Sequence, residues 1–173
     1  KLVETATRIY RDRMDELWGE FAAVPAGNLV SLTGGERIEA GGRTFDVAYT
    51  PGHASHHVSY FDDSSGVAFV GDTAGVCING GYVLPPTPPP DIDLEIWRNS
   101  EARILAWDPD TLFLTHFGPF HGARQHFQQL CENIEGWNRI VKRLIADQSL
   151  SEEARQQTFV EEEKRPYLRV VAA

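Results

Sequence analysis

No histidine occurs before residue 53 of this 173-residue chain, so imidazole chemistry is confined to the remainder. Cysteine is nearly absent: Cys77 and Cys131 are too few and too isolated for a disulfide framework or a zinc ribbon. No apolar run approaches membrane-spanning length, and no basic stripe offsets the formal net charge of −9. That balance argues against a nucleic-acid or membrane partner and leaves a small-molecule substrate, whose own charge stays open because local charge can oppose the global sign. Neither a glycine-rich phosphate cradle nor a GxSxG serine elbow is present. Nothing reads as a signal peptide, so a cytoplasmic setting is the default expectation. The chain opens on Lys1 rather than Met, and "KLVETATRIYRDRMDELWGEF" reads as the interior of something longer.

What is present is distributed in short elements. Leu2, Ala6, Ile9, Tyr10, Leu17 and Phe21 recur at helical steps and predict one amphipathic helix, stopped by Pro25 and Gly27. "ERIEA" and "RTFDVAYT" flank Gly41-Gly42, a hairpin signal; "HVSYFD" and "VAFVGD" flank "DSSG", a second one. Asp62 and Asp63 there read as solvated turn residues, and Val67, Phe69 and Val70 as a deeply buried strand. "GYVLPPTPPPD" cannot be regular structure, because its prolines fix φ and remove backbone donors. Asp91 or Asp93 then caps a helix through Trp97 to Ala106. "TLFLTHFG" predicts a short strand. Phe127, Leu130, Ile134, Trp137, Val141, Leu144 and Ile145 form a continuous helical core stripe, with His126 on the exposed side. Residues 150–173 read as a charged terminal helix or tail. Hairpins first and helices interleaved later predict a layered α/β fold, a mixed sheet covered by helices.

Chemistry-bearing residues fall at strand ends. His53 follows a strand and a Pro-Gly turn, Asp72 ends an apolar strand, and His116 ends another. Loops anchored on rigid elements are where sites are usually built. Imidazole nitrogen with carboxylate oxygen suits zinc, iron or manganese better than calcium. Separations of 19 and 44 residues exclude a local finger or a helical clamp, so convergence has to come from the fold. Taken singly, each histidine reads more simply as a surface or supporting residue. His56 points to solvent if a strand has begun at His57, and Cys77 reads as a small buried residue.

The run "YTPGHASHHVSYF…VAFVGDTAGV…LFLTHFGP" resembles the latter part of a metallo-β-lactamase-fold hydrolase of the glyoxalase II-like kind, over about residues 36 to 120. The resemblance implies a partial αββα sandwich, mixed sheets flanked by helices, with one or two metal ions at one edge. It implies His53 as a histidine on the first ion, Asp72 as the carboxylate bridging both and acting in catalysis, and His116 as a histidine on the second. His57 is implied as a supporter. From the residues themselves, Thr73 reads as a supporting or pocket residue, Tyr82 with the proline loop as either a pocket wall or a rigid crossover between sheet and helix, and His121 as a pocket or loop-cap residue. Zinc is the implied metal, iron and manganese the alternatives. The implied reaction is attack of a metal-bound hydroxide on a thioester, lactone or other ester-like bond.

Two departures matter. Ala54 stands where threonine is usual, and the family's HxHxDH motif is missing from the residues ahead of His53. Residues 1–173 are therefore expected to be the C-terminal portion of one such domain, an inactive fragment that holds little metal on its own. Self-association, or association with the missing N-terminal segment, would cover the core so exposed. The alternatives are a non-catalytic binding or assembly module on the same fold and an iron-dependent, persulfide dioxygenase-like oxidoreductase.

Overall fold

The computed structural model describes residues 2–77, 80–87 and 92–171, with the side chains of Leu2, Thr5 and residues 164–171 excepted. Asp91 and prolines 88–90 lie outside the described residues. The chain divides into two compact units, residues 1–31 and 32–173.

In the first unit the expected single helix is broken. Helix α1 (Leu2–Tyr10) passes through a 3-10 turn at Arg11–Arg13 into α2 (Met14–Trp18). The break falls at Arg11, whose φ of 48° is left-handed and interrupts the helical hydrogen-bond ladder. The second segment ends at Gly19, with φ 62° and its N–H bonded to Asp15 O. Phe21 therefore lies beyond the helix and is exposed, as are Ile9 and Leu17.

The second unit is built on one six-stranded sheet. Its strands are β1 (Arg37–Ala40), β2 (Arg43–Tyr49), β3 (Val58–Asp62), β4 (Val67–Gly71), β7 (Thr111–Leu114) and β8 (Pro119–His121), in the spatial order β1-β2-β3-β4-β7-β8. A separate two-residue pair, β5 (Val76–Cys77) and β6 (Val83–Leu84), lies in the crossover between β4 and β7. Helices α3 (Leu94–Ala106), α4 (Ala123–Ala146) and α5 (Glu152–Val171) complete it. The sheet is mixed: β4 pairs with β7 in parallel and every other pairing is antiparallel. Strand β8 is not evident in the sequence because Pro119 opens it; the ring is tolerated because β8 is an edge strand.

One face of the sheet carries the core. Phe61, Ala68, Val70, Leu112 and Leu114 meet Trp97 and Ile104 of α3 and Phe127, Leu130 and Ile134 of α4. The expected deep burial of β4 thus belongs to Ala68 and Val70 only, while Val67 and Phe69 look to the opposite face. There Phe45, Phe69 and Phe113 form a row, with ring centroids 5.9 and 5.4 Å apart. The helical stripe on α4 also stops short: Leu144 is buried, but Val141 and Ile145 are exposed. The charged C-terminal stretch is a helix docked by Phe159 against Trp137 and by Glu162 against Arg143.

Two polar residues depart from expectation. Asp62 is fully buried, accepting from Arg43 and from Ser64 N–H and Oγ, which together hold its carboxyl well below the usual range. His126 is buried rather than exposed, because its ring reaches back to the loop after β4.

Candidate metal centre

Strand direction explains why distant residues meet. β2 runs antiparallel to β3 and β3 to β4, so β2 and β4 point the same way, and β7 is parallel to β4. The segments that leave the C-terminal ends of these three strands therefore emerge on one edge of the sheet. They carry His53, Asp72 and His116.

Asp72 stands between the two histidines. His53 Nε2 lies 3.5 Å from Asp72 Oδ2, and His116 Nε2 lies 3.7 Å from Asp72 Oδ1. Ligand atoms about 2.1 Å from one tetrahedral ion stand roughly 3.4 Å apart, so both spacings suit atoms that share an ion better than atoms that share a proton. Asp72 Oδ1 is buried and has no hydrogen-bond partner, a costly arrangement unless something else satisfies it. The donors do not converge on one point, and among the described residues no group of three or more His, Cys, Asp or Glu side chains closes around a single ion. Asp72 thus turns one carboxylate oxygen toward each histidine.

His53 is fixed by a contact that the sequence does not advertise. Its Nδ1–H donates to Pro86 O at 2.8 Å, which places the lone pair on Nε2, the atom that faces Asp72. The proline loop thus orients this ring. Behind it stands the edge of Trp97, with ring centroids 5.9 Å apart. Gly52 makes room for α3: a Cβ there would meet Trp97 Cα at 2.4 Å, and its φ is 130°. Helix α3 holds the same turn through Ser100 Oγ to Pro51 O, Arg103 to Tyr49 O and Asp93 N–H to Gly52 O. Asp93 also caps that helix, accepting from Glu95 and Ile96 N–H.

His57 supports Asp72 through the backbone. Asp72 N–H donates to His57 Nε2 at 3.2 Å, so the ring proton sits on Nδ1, within 2.9 Å of Thr50 Oγ1 and 3.0 Å of Thr73 Oγ1. Thr73 Oγ1 donates in turn to Thr50 O, and Ser59 Oγ closes the buried network on Thr50. The next carbonyls are held as well: Thr73 O accepts from Trp97 Nε1 and Ala74 O from His126 Nε2, each at 2.7 Å. A bulge in β4 before Gly71 turns the strand end toward this cage.

Burial, and after it the neighbouring His53, pushes the His57 ring from its ordinary 6.5 down to about 4, and burial lowers His126 too. The unfolded chain takes up protons below about pH 6.5 that the folded chain refuses until lower pH. The stability these rings contribute is therefore complete above that pH and is lost as pH falls through the folded values. For His57 the loss is about 3 kcal/mol over the window. A series of urea midpoints from about pH 7 to about pH 4 should show the decline, and His57→Gln should flatten it. Identical slopes in the two proteins would refute the assignment.

The remaining expected residues fall elsewhere. His56 is exposed. His121 pairs with Thr111 at the far end of β7 from His116, and its Nδ1 lies 3.1 Å from Thr111 Oγ1; the length of β7, roughly 10 Å, takes it out of the centre. Tyr82 stands against Trp137 and Glu163, where burial raises its phenol, and does not wall the site. Cys77 is buried in β5. The supports missed in the sequence are Pro86, Trp97, Gly71 and His126.

A helix-backed mixed sheet with its polar cluster at one strand-end edge defines a layered α/β architecture. Within it the chain belongs to the metallo-beta-lactamase superfamily, whose sequence profile matches residues 3–116. The metallo-beta-lactamase fold-containing protein ST1585 of Sulfurisphaera tokodaii is 33% identical over 118 residues, 68% of this chain and 44% of that protein. A hydroxyacylglutathione hydrolase of a Cyanothece species is 32% identical over 127 residues, covering 59% of this chain and 48% of its own length. The crystal structure of ST1585 superposes with a TM-score of 0.61 at 27% identity, covering 87% of this chain and 52% of that one. The chain thus spans about half the length of the relatives it matches. Among the described residues no helix is long and apolar enough to cross a membrane.

Proposed function

We propose that this chain carries part of the active site of a metal-dependent hydrolase acting on a thioester, lactone or related ester-like bond. The observation behind the reading is Asp72, with one carboxylate oxygen toward each of two histidines and Oδ1 buried without a donor. Similarity to proteins named hydroxyacylglutathione hydrolase supports the thioester within that class. The donor set suits zinc. When bound, zinc polarises a carbonyl and brings the pKa of its water to about 7. The chain's own residues hold and aim the donors. His53 presents Nε2 because Pro86 occupies Nδ1, Asp72 is steadied through its N–H by His57, and Trp97 shields the inner side of His53 from water. His116, half-exposed on the β7–β8 connection, is the donor most open to solvent of the three. Further ligands supplied from outside these residues belong to the same proposal.

The test is the full gene product loaded with zinc or with iron and offered thioesters, lactones and phenyl esters. The zinc form is expected to hydrolyse at least one class, and His53→Ala to lower kcat by about a hundredfold or more. Persulfide oxidation by the iron form without ester hydrolysis would replace the reading with an oxidative one. Stoichiometric folding with neither activity would leave a binding module.

A further inference from the structure

The connection between β7 and β8 holds a residue that the site as described does not use. Phe117 follows His116 directly. It is 64% exposed, and its φ of 67° is a left-handed conformation that a bulky residue adopts only under constraint. The constraint is visible: Phe113 pairs with Pro119, Leu114 N–H reaches Gly118 O, and the three residues 115–117 must close the turn between Leu114 and Gly118. Strain in such a turn is normally relieved by glycine or asparagine. Here a phenyl ring is kept instead, held out in solvent with its centroid 6.3 Å from that of His116. The two arginines closest in sequence have partners elsewhere, Arg103 at Tyr49 O and Arg124 at Asp108.

We infer that Phe117 is a specificity residue, an apolar wall that packs against a neutral aryl or alkyl group attached to the scissile carbonyl. The inference rests on the hydrolase reading for its reaction but on the position of Phe117 for its binding. A flat ring beside the donor pair accepts an apolar acyl group by removing apolar surface from water, and a short acetyl group does not reach it.

Two measurements separate the inference from that reading. The first uses the metal-free chain and two neutral, non-hydrolysable ketones, benzylacetone and acetone, titrated while the amide resonances of residues 115–118 are followed by NMR. Benzylacetone is expected to shift them and to bind about tenfold more weakly to Phe117→Ala, about 1.4 kcal/mol, with Phe117→Leu in between. Acetone should not distinguish the three proteins. Alanine suffers the same left-handed strain as phenylalanine, so the substitution removes the ring and leaves the turn. The second uses the zinc-loaded full gene product: Phe117→Ala should raise KM about tenfold for a phenylpropionyl thioester and leave the acetyl thioester and both kcat values unchanged. Equal effects on large and small ligands, or none on either, would overturn the inference. Ring-dependent ketone binding in a protein that hydrolyses no ester would retain the apolar wall and remove the hydrolase.

Discussion

Gly71→Ala is expected to cost the folded chain roughly 3–5 kcal/mol, far more than a methyl group ordinarily does. The position has φ 52° and ψ −137°, a region that only glycine occupies freely. A Cβ there would meet His57 Nε2 at 2.3 Å and Cε1 at 2.9 Å. The ring has nowhere to go, since Thr50 and Thr73 hold its other nitrogen and Nε2 receives Asp72 N–H. Displacing it leaves that amide without an acceptor, at about 1–3 kcal/mol beyond the backbone strain. Gly80→Ala is the matched control. Gly80 also has positive φ, 70°, but a Cβ there would meet nothing within 4 Å. Only strain should register in it, about 1 kcal/mol. Urea unfolding of both variants near pH 7 reads the difference. Equal losses would mean that His57 is not wedged against Gly71 and that Asp72 is positioned by something else.

The same pair of residues shows what a sequence discloses about such a site. "TPGH" and "GDT" are legible because glycine beside a chemistry-bearing residue signals either a left-handed backbone or a close approach. Gly52 against Trp97 and Gly71 against His57 supply both. His53, Asp72 and His116 are legible because apolar runs that end on polar residues mark strand ends. Their meeting depends on strand direction, which no local pattern states. The supports were hidden for a different reason. Pro86 and Ala74 act through carbonyl oxygens, and every residue has one, so neither the orientation of His53 nor the burial of His126 has a signature in side-chain identity. Asp62 misled because an aspartate in a hairpin is normally solvated; here Arg43, on the neighbouring strand, makes burial affordable. The break at Arg11 was invisible because the apolar spacing continues across it, whereas the backbone does not. His121 and Tyr82 were drawn into the site by proximity in sequence, and the sheet carries the first to the opposite edge while α4 receives the second.

Asp72→Asn is expected to separate stability from metal response, moving the two in opposite directions. The backbone contacts that position residue 72, from its N–H to His57 and from Gly75 N–H to its carbonyl, do not involve the side chain and should survive. What changes is the charge of a group whose Oδ1 is buried with no donor. An amide of the same shape removes that charge, which lowers the cost of leaving Oδ1 without a donor, and its N–H₂ at the Oδ2 position has an acceptor nearby in His53 Nε2, whose partner nitrogen already donates to Pro86. The metal-free variant should therefore equal the parent in stability or exceed it, by up to about 1 kcal/mol. Zinc should act the other way. At a hundredfold excess over its dissociation constant a bound ligand adds about 2.7 kcal/mol to the parent chain, and the variant, lacking the carboxylate that both histidines face, should gain almost nothing at the same concentration. Denaturant titrations with and without zinc give all four values. A variant that is strongly destabilised without metal yet still responds to zinc would make Asp72 a structural carboxylate and move the metal elsewhere. A variant that gains stability as it loses the ion would mark this position as one where the fold gives up stability to keep a ligand in place.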